Sequence, residues 1–358
     1  MGLNLADEVL EAYGYAKENI TITQIGTGLI NRTYLLSPFA EEKKYILQNI
    51  NTVVFTSPQA IASNLRAIAD YLSFAYPDYL FIKPVATTKG EEMAYIHHEY
   101  WRMLPFVPNT ISLDVLADTK QAYEAAKQFG KLSRLLDNFD AGSLQPTIAG
   151  FHDLALRYEQ FTLALNQASE KLKMEAATQI ENALSHSYIL DYYISYAHRK
   201  DFPDRVMHHD TKISNVLLDD ESYEGICVID LDTIMPGKFI SDLGDMMRTY
   251  LCAYSENETD LTKIKIRLPY FEAMIKGYLA EMKSILTETE KELILFSGRY
   301  IIYMQALRFL TDFLSGNKYY PTDYPEQNLD RTKNQFKLLY EISVNEKELQ
   351  DIIEENLA

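Results

Sequence analysis

Apolar and polar residues alternate over residues 20–25 and again over 29–36, and Gly26-Thr27-Gly28 separates the two runs. That pattern predicts a β-hairpin. A third strand is predicted over 45–50. Ser57-Pro58 then opens a helix over 59–75, with Ile61, Leu65, Ile68 and Leu72 at helical spacing. Two more strands are predicted over 93–97 and 100–106, where Pro105 and Pro108 end the pattern. From Asp114 the period turns helical, and Leu116, Tyr123, Ala126, Phe129, Leu132 and Leu136 mark one helix. Further helices are expected over 153–166 and 175–197, then a short β insertion at 216–218 and 227–229 around the polar turn 219–224. Helices fill the rest. The prediction is an α+β chain: a small β-rich lobe over 1–105 and a large helical lobe over 106–358, with a hairpin set into the latter.

Composition narrows the class. The chain has 358 residues, 47% of them hydrophobic and 24% charged, which is ordinary for a globular protein. At this length two sub-domains are the default. A net charge of −17 argues against a nucleic-acid partner, which needs a basic face, and against an anionic membrane surface. A small ligand held by a few local cations is still allowed. Cys227 and Cys252 make neither a disulfide framework nor a CxxC metal pair. The N-terminus lacks the basic and apolar regions of a signal peptide. The greasiest late stretch, 293–310, is broken by Ser297, Gly298, Arg299 and Arg308, so it reads as a buried helix. A soluble, cytoplasmic protein is expected. Its oligomeric state is not encoded legibly.

The chemistry concentrates in His208-His209-Asp210-Thr211-Lys212-Ile213-Ser214-Asn215. The spacing of Asp210 and Asn215 matches the H-x-D-x-x-x-x-N loop of phosphoryl-transfer enzymes, where the aspartate takes a proton from the acceptor hydroxyl and the asparagine holds magnesium. Val228-Ile229-Asp230 follows, an apolar strand delivering a carboxylate where such an enzyme needs its main magnesium ligand. A lone HxD is usually a capped turn; the pair at this spacing is not. His208 reads as a brace for the loop, and Asp242 and Asp245 as holders of its backbone. Asp232 fits a sugar contact, a supporting residue behind the site, or a cap.

With these stretches, and with residues 26–34, Tyr45-Ile46-Leu47-Gln48, the run 230–237 and Leu307-Arg308-Phe309-Leu310-Thr311-Asp312, the sequence resembles the aminoglycoside phosphotransferase and choline kinase-like family. Within that family it is most similar to the N-acetylhexosamine 1-kinases. The resemblance implies a protein kinase-like two-lobed fold, ATP and Mg²⁺ as cofactors, and a small-molecule acceptor, an amino sugar before others. It implies Asp210 as the base, Asn215 and Asp230 as magnesium ligands, and Lys212 facing the moving phosphoryl group. Gly26, Thr27 and Gly28 would cover the nucleotide phosphates, while Leu104 and Phe106 would border the adenine. Asp232, Arg308 and Tyr319 would meet the substrate; a plainer reading of Arg308 is an ion pair with Asp312 at i, i+4.

Two positions depart from the family pattern. Gln48 stands where protein kinases carry a third-strand lysine, and the helix over 59–75 has no glutamate to pair with one. Phosphate neutralisation is then expected from magnesium and Lys212. Leu29 stands where a polar residue is expected in the hexosamine kinases. Three functions compete: a kinase of a sugar or of another hydroxyl compound (aminoglycoside or choline type), an inactive kinase-like binding protein, and a sugar hydrolase. Retention of Asp210, Asn215 and Asp230 argues against the second. Neither cysteine stands in the Cys-x-Pro-x-Arg setting that a sulfatase requires.

Overall fold

The computed structural model describes residues 6–25 and 31–358, which fall into two compact units. The first holds the chain through Thr110 together with Asn138–Ala149 and Cys227–Pro236. The second holds Ile111–Asp137, Gly150–Ile226 and Gly237–Ala358.

In the first unit a short helix, α1 (Asp7–Glu11), precedes strands β1 (Ile20–Ile25), β2 (Arg32–Pro38) and β3 (Tyr45–Ile50). Helix α2 (Pro58–Ala75) and strands β4 (Ala94–Ile96) and β5 (Glu99–Pro105) complete it. The strands form an antiparallel sheet in the order β1-β2-β3-β5-β4. Alternation sets its core: Tyr34, Leu36, Leu47, Trp101 and Met103 are buried on one face with Val9 and Leu10 of α1. Pro58 takes the first position of α2, where its missing N–H is no loss, and Ile61, Leu65, Ile68 and Leu72 form the predicted buried stripe. Asn64, on the same helix, is buried as well. Its amide donates to the carbonyls of Gln145 (2.8 Å) and Ile234 (2.9 Å) and accepts from Gln145 N (2.9 Å), which ties both returning segments to this unit.

The chain leaves the first unit through a two-residue strand, β6 (Thr110–Ile111). Helix α3 (Thr119–Leu135) starts on a reciprocal capping box between Asp118 and Gln121. Helix α4 (Leu154–Gln167) follows. Helix α5 (Glu170–Glu175) comes first, and the single helix expected over 175–197 is instead two, α6 (Ala177–Ser185) and α7 (Tyr188–Ala197). At the break at 185–187 the Asn182 carbonyl keeps its backbone donor, His186 N at 3.1 Å, and also meets the Ser185 hydroxyl and, at 2.8 Å, the His186 Nδ1, so polar side chains crowd the last turn. Strand β7 (Arg205–Met207) leads into the predicted loop, and β8 (Val216–Asp219) and β9 (Gly225–Val228) form the predicted hairpin, closed by Asp219 N donating to Glu224 O. Strand β10 (Met235–Gly237) precedes α8 (Ile240–Tyr250). The remaining helices are α9 (Leu268–Met282), α10 (Glu288–Glu292), α11 (Ile294–Leu314), α12 (Gln327–Val344) and α13 (Glu346–Leu357). Helix α11 is buried along most of its length, the core of this unit. No described helix is long and apolar enough to cross a membrane.

Candidate active site

The loop after β7 is held from behind by two buried carboxylates of α8. Asp242 accepts from the backbone N–H of His208 (2.9 Å) and of His209 (2.7 Å), and Asp245 accepts from that of Thr211 (2.9 Å). The Thr211 hydroxyl donates to Asp242 O. His209 adopts the left-handed backbone (φ 66°) this path requires. The Asp210 N–H donates to His208 Nδ1 at 3.2 Å, and the His208 ring packs edge-on against Phe129, so His208 braces the loop as expected. Burial pushes the Asp242 carboxyl up to about 6, against the pull of His208 and the two N–H donors. Burial raises Asp245 too, while Arg248, bonded to it at 2.9 Å, works the other way.

This frame brings three predicted residues together. Lys212 Nζ lies 3.1 Å from Asp210 Oδ2. The Asn215 amide nitrogen donates to Asp210 O (2.8 Å) and Oδ2 (3.1 Å), which turns its amide oxygen away as the donor atom for a hard cation. Gly237 packs against the ring of His209, where an added Cβ would stand 2.7 Å from Nε2. Gly237→Ala is therefore expected to displace His209 and the adjoining Asp210. Turnover should fall several-fold with a lowered melting temperature; unchanged kinetics would show that the ring has room to move.

A chain of rings runs on from His209 within the same unit. His209 Nδ1 is 3.3 Å from His152 Nδ1, and the His152 ring stacks on Phe151 with centroids 4.6 Å apart. The Arg308 guanidinium lies over Phe151 (5.2 Å), Tyr320 (5.5 Å) and Tyr319 (6.0 Å) and donates to Gln305 Oε1 at 3.0 Å. Arg157 donates to Phe151 O, and its Nε is buried without a partner. Among the described residues neither Arg157 nor Arg308 has an ion-pair partner. The alternative pairing of Arg308 with Asp312 does not form: the Asp312 carboxylate accepts from the N–H groups of residues 318–320 and from Asn328. Burial, then His209 and the nearby arginines, hold the His152 ring well below the ordinary imidazole range, and so neutral. Burial and Arg308 lower Arg157. Tyr319 is 58% exposed at the rim of this cluster.

The other predicted residues belong to the first unit. Asp230 takes a left-handed conformation (φ 57°) and starts the single 3₁₀ turn Leu231–Thr233. Asp232, on that turn, forms an ion pair with Arg102 of β5 and accepts from Asn31 Nδ2 at 2.8 Å. Gln48 stands directly opposite Arg102 in the sheet register, and its Oε1 accepts from Arg102 Nε (2.9 Å) and Nη2 (2.7 Å). The uncharged third strand thus has a cation beside it, contributed by β5. The Arg102 charge is already paired with Asp232. Leu104 pairs with Ile46 at the half-buried end of β5, and Phe106 N–H donates to Lys44 O. Gly26, Thr27 and Gly28, with Leu29, lie outside the described residues. Among the described residues no group of three or more His, Cys, Asp or Glu side chains could hold a metal by itself. Asn215 and Asp230 each offer a hard oxygen donor of the kind magnesium takes.

Arg102, Phe151, His152 and Arg157 were not singled out from the sequence. For Arg102 a signal existed: a lone charge inside the apolar run Tyr100-Trp101-Arg102-Met103-Leu104. The other three gain meaning only once their segment meets α11.

Residues 21–268 match the model of the phosphotransferase enzyme family. Among solved structures, a microcompartment-associated aminopropanol kinase aligns with a TM-score of 0.63 at 13% identity, over 95% of this chain and 97% of that one. A spectinomycin phosphotransferase in complex with ADP and spectinomycin aligns at 0.58 and 15%, over 93% and 96%. A choline kinase from Cryptosporidium parvum Iowa II aligns at 0.53 and 15%, over 96% and 95%. At these identities the likeness is one of fold: a β-sheet N-terminal region and a helical C-terminal part of the protein kinase-like kind.

Proposed function

This chain belongs to the phosphotransferase enzyme family, and from its own residues we propose that it is an ATP- and Mg²⁺-dependent kinase of a sugar hydroxyl, the anomeric hydroxyl of an N-acetylhexosamine before others. One observation carries the acceptor class. Arg157 and Arg308 stand among Phe151, Tyr319 and Tyr320 with no ion-pair partner among the described residues, in a chain carrying a net charge of −17. A cationic acceptor such as choline or an aminoglycoside would be repelled there, whereas hydroxyl and acetamido oxygens accept from guanidinium groups and sugar faces stack on aromatic rings. The run 230–237 and the Arg308 helix, which resemble those of the hexosamine kinases, support the same acceptor.

In this reading Asp210 accepts the proton of the acceptor hydroxyl as its oxygen bonds to the γ-phosphorus and the bond to ADP breaks. Lys212 faces the transferred group. Asn215 and Asp230 are the residues that would hold the magnesium, which would supply neutralisation of phosphate charge. An anomeric hydroxyl is more acidic than other sugar hydroxyls, so a carboxylate suffices as base, and most binding energy goes into orienting the ring.

The test is ATP consumption against N-acetylglucosamine, N-acetylgalactosamine, free hexoses, an aminoglycoside and choline. An N-acetylhexosamine should be consumed fastest, with a phosphorus–H1 coupling in the product, and its methyl glycoside should be inert. Preference for choline or the aminoglycoside would overturn the acceptor class. A methyl glycoside phosphorylated as fast as the free sugar would overturn the anomeric assignment alone.

A further inference from the structure

We infer that Arg102 is the positioning residue for the metal-ligand turn, holding it through Asp232 from the strand next to the one where protein kinases carry a lysine. The inference rests on the Mg²⁺–ATP reading and concerns the first unit only. Arg102 is buried, its side chain 2% exposed, and so is its partner Asp232. Burying a guanidinium in a sheet is unfavourable unless every donor is met, and removing one member of such a pair strands the other. Here each guanidinium nitrogen has a partner. Two go to Gln48 Oε1 and a third faces the Asp232 carboxylate. Gln48 is itself held by donating to Thr33 Oγ1 at 3.3 Å. Asn31, whose Oδ1 accepts from Asn51 N at 3.0 Å, takes the other Asp232 oxygen.

Two features separate this network from ordinary core packing. It occupies position 48, where a lysine is expected, and its far end is the turn that begins with Asp230 in a left-handed conformation. A non-glycine residue in that region is held by its surroundings, not by its own preference. Asp232 lies two residues beyond Asp230 in the same one-turn 3₁₀ helix. The rigid fork of Arg102 reaches Gln48 and Asp232 at once; a lysine's single ammonium at either position does not. The charge has moved one strand over, and its partner has moved from α2, which has no acid at the matching face, to the ligand turn itself.

Calorimetric titration of the full chain with ADP, with and without Mg²⁺ and without any acceptor, tests this. In wild type the metal should tighten ADP binding. In Arg102→Lys, which keeps the charge but not the fork, that tightening should shrink about 10–100-fold, the usual effect of a residue that orients a metal ligand. Binding of metal-free ADP should stay within about 2-fold. Asp232→Asn, which keeps the shape, should lose the metal effect likewise, and it serves alone if Arg102→Lys does not fold. The inference is overturned if either folded variant retains the wild-type metal effect, or if affinity with and without metal falls in proportion. A wild-type chain that binds no ADP would overturn the underlying nucleotide reading as well.

Discussion

Asp210→Asn should lower turnover by about 10²–10⁴ while leaving the fold and nucleotide binding in place, the scale of lost general-base assistance. The structure makes this substitution a clean probe. The contact from Asn215 to Asp210 O is to the backbone, and the Asp210 N–H is held by His208, so neither depends on the carboxylate. What is lost is the pair with Lys212, whose side chain is 44% exposed; the 3.1 Å contact from the Asn215 amide to Oδ2 can still be accepted by an asparagine oxygen. Exposed pairs contribute about 0–1 kcal/mol, so the melting temperature should barely move. On the proposed reading Lys212 faces the phosphoryl group in the variant too, so KM for ATP should hold while kcat falls. Steady-state kinetics on the best acceptor decide the matter. Near-full turnover in the variant would remove Asp210 from the role of base.

Local pattern carried much of this protein into view. Period-2 runs gave β1, β3, β4 and β5 to within about two residues, because one face of that sheet is buried and the other is not. The H-x-D-x-x-x-x-N spacing was legible because Asp210, Lys212 and Asn215 are assembled by one short loop. Asp242 and Asp245 were legible as its holders for a similar reason, being one helical turn apart. What sequence could not yield was register. Gln48 and Arg102 meet only because β3 pairs with β5 in one alignment of several possible ones, so their pairing could not be read, although the lone charge in its apolar run marked Arg102. The same holds for Phe151 and His152, which acquire a role when their loop reaches Arg308. The unbroken helix over 175–197 failed differently: its apolar spacing continues, but the polar side chains of Ser185 and His186 gather on the Asn182 carbonyl where the turn ends. Asp232, read from the sequence as a sugar contact, a supporting residue or a cap, has its carboxylate engaged by Arg102 and Asn31.

The support of the catalytic loop should prove as consequential for stability as Asp210 is for rate. Arg205 opens β7, the strand that runs into His208. Its Nε and Nη2 each lie 2.8 Å from a different oxygen of Glu290, and Nη2 also donates to Ile285 O at 2.9 Å. Nη1 pairs with Asp137. Glu290 is fully buried, and one of its oxygens accepts from Thr287 N at 2.8 Å to close the capping box of α10. Burial works against the Arg205 charge, and Glu290 with Asp137 more than offsets it, holding the guanidinium above its ordinary range. Glu290→Ala removes a bidentate partner and a cap together and strands a largely buried cation. A loss of about 3–5 kcal/mol is expected, the cost of breaking a buried pair from one side, with a drop in melting temperature on the order of 10 °C. Glu290→Gln keeps the cap's acceptor oxygen but loses the charge, and should fall between the two. Because β7 delivers the loop, turnover of the folded Ala variant should also decline, though by less than in Asp210→Asn. A denaturant melt showing less than about 1 kcal/mol for Glu290→Ala would mean that Asp137 and the Ile285 carbonyl satisfy Arg205 unaided, and that the loop is positioned by α8 alone.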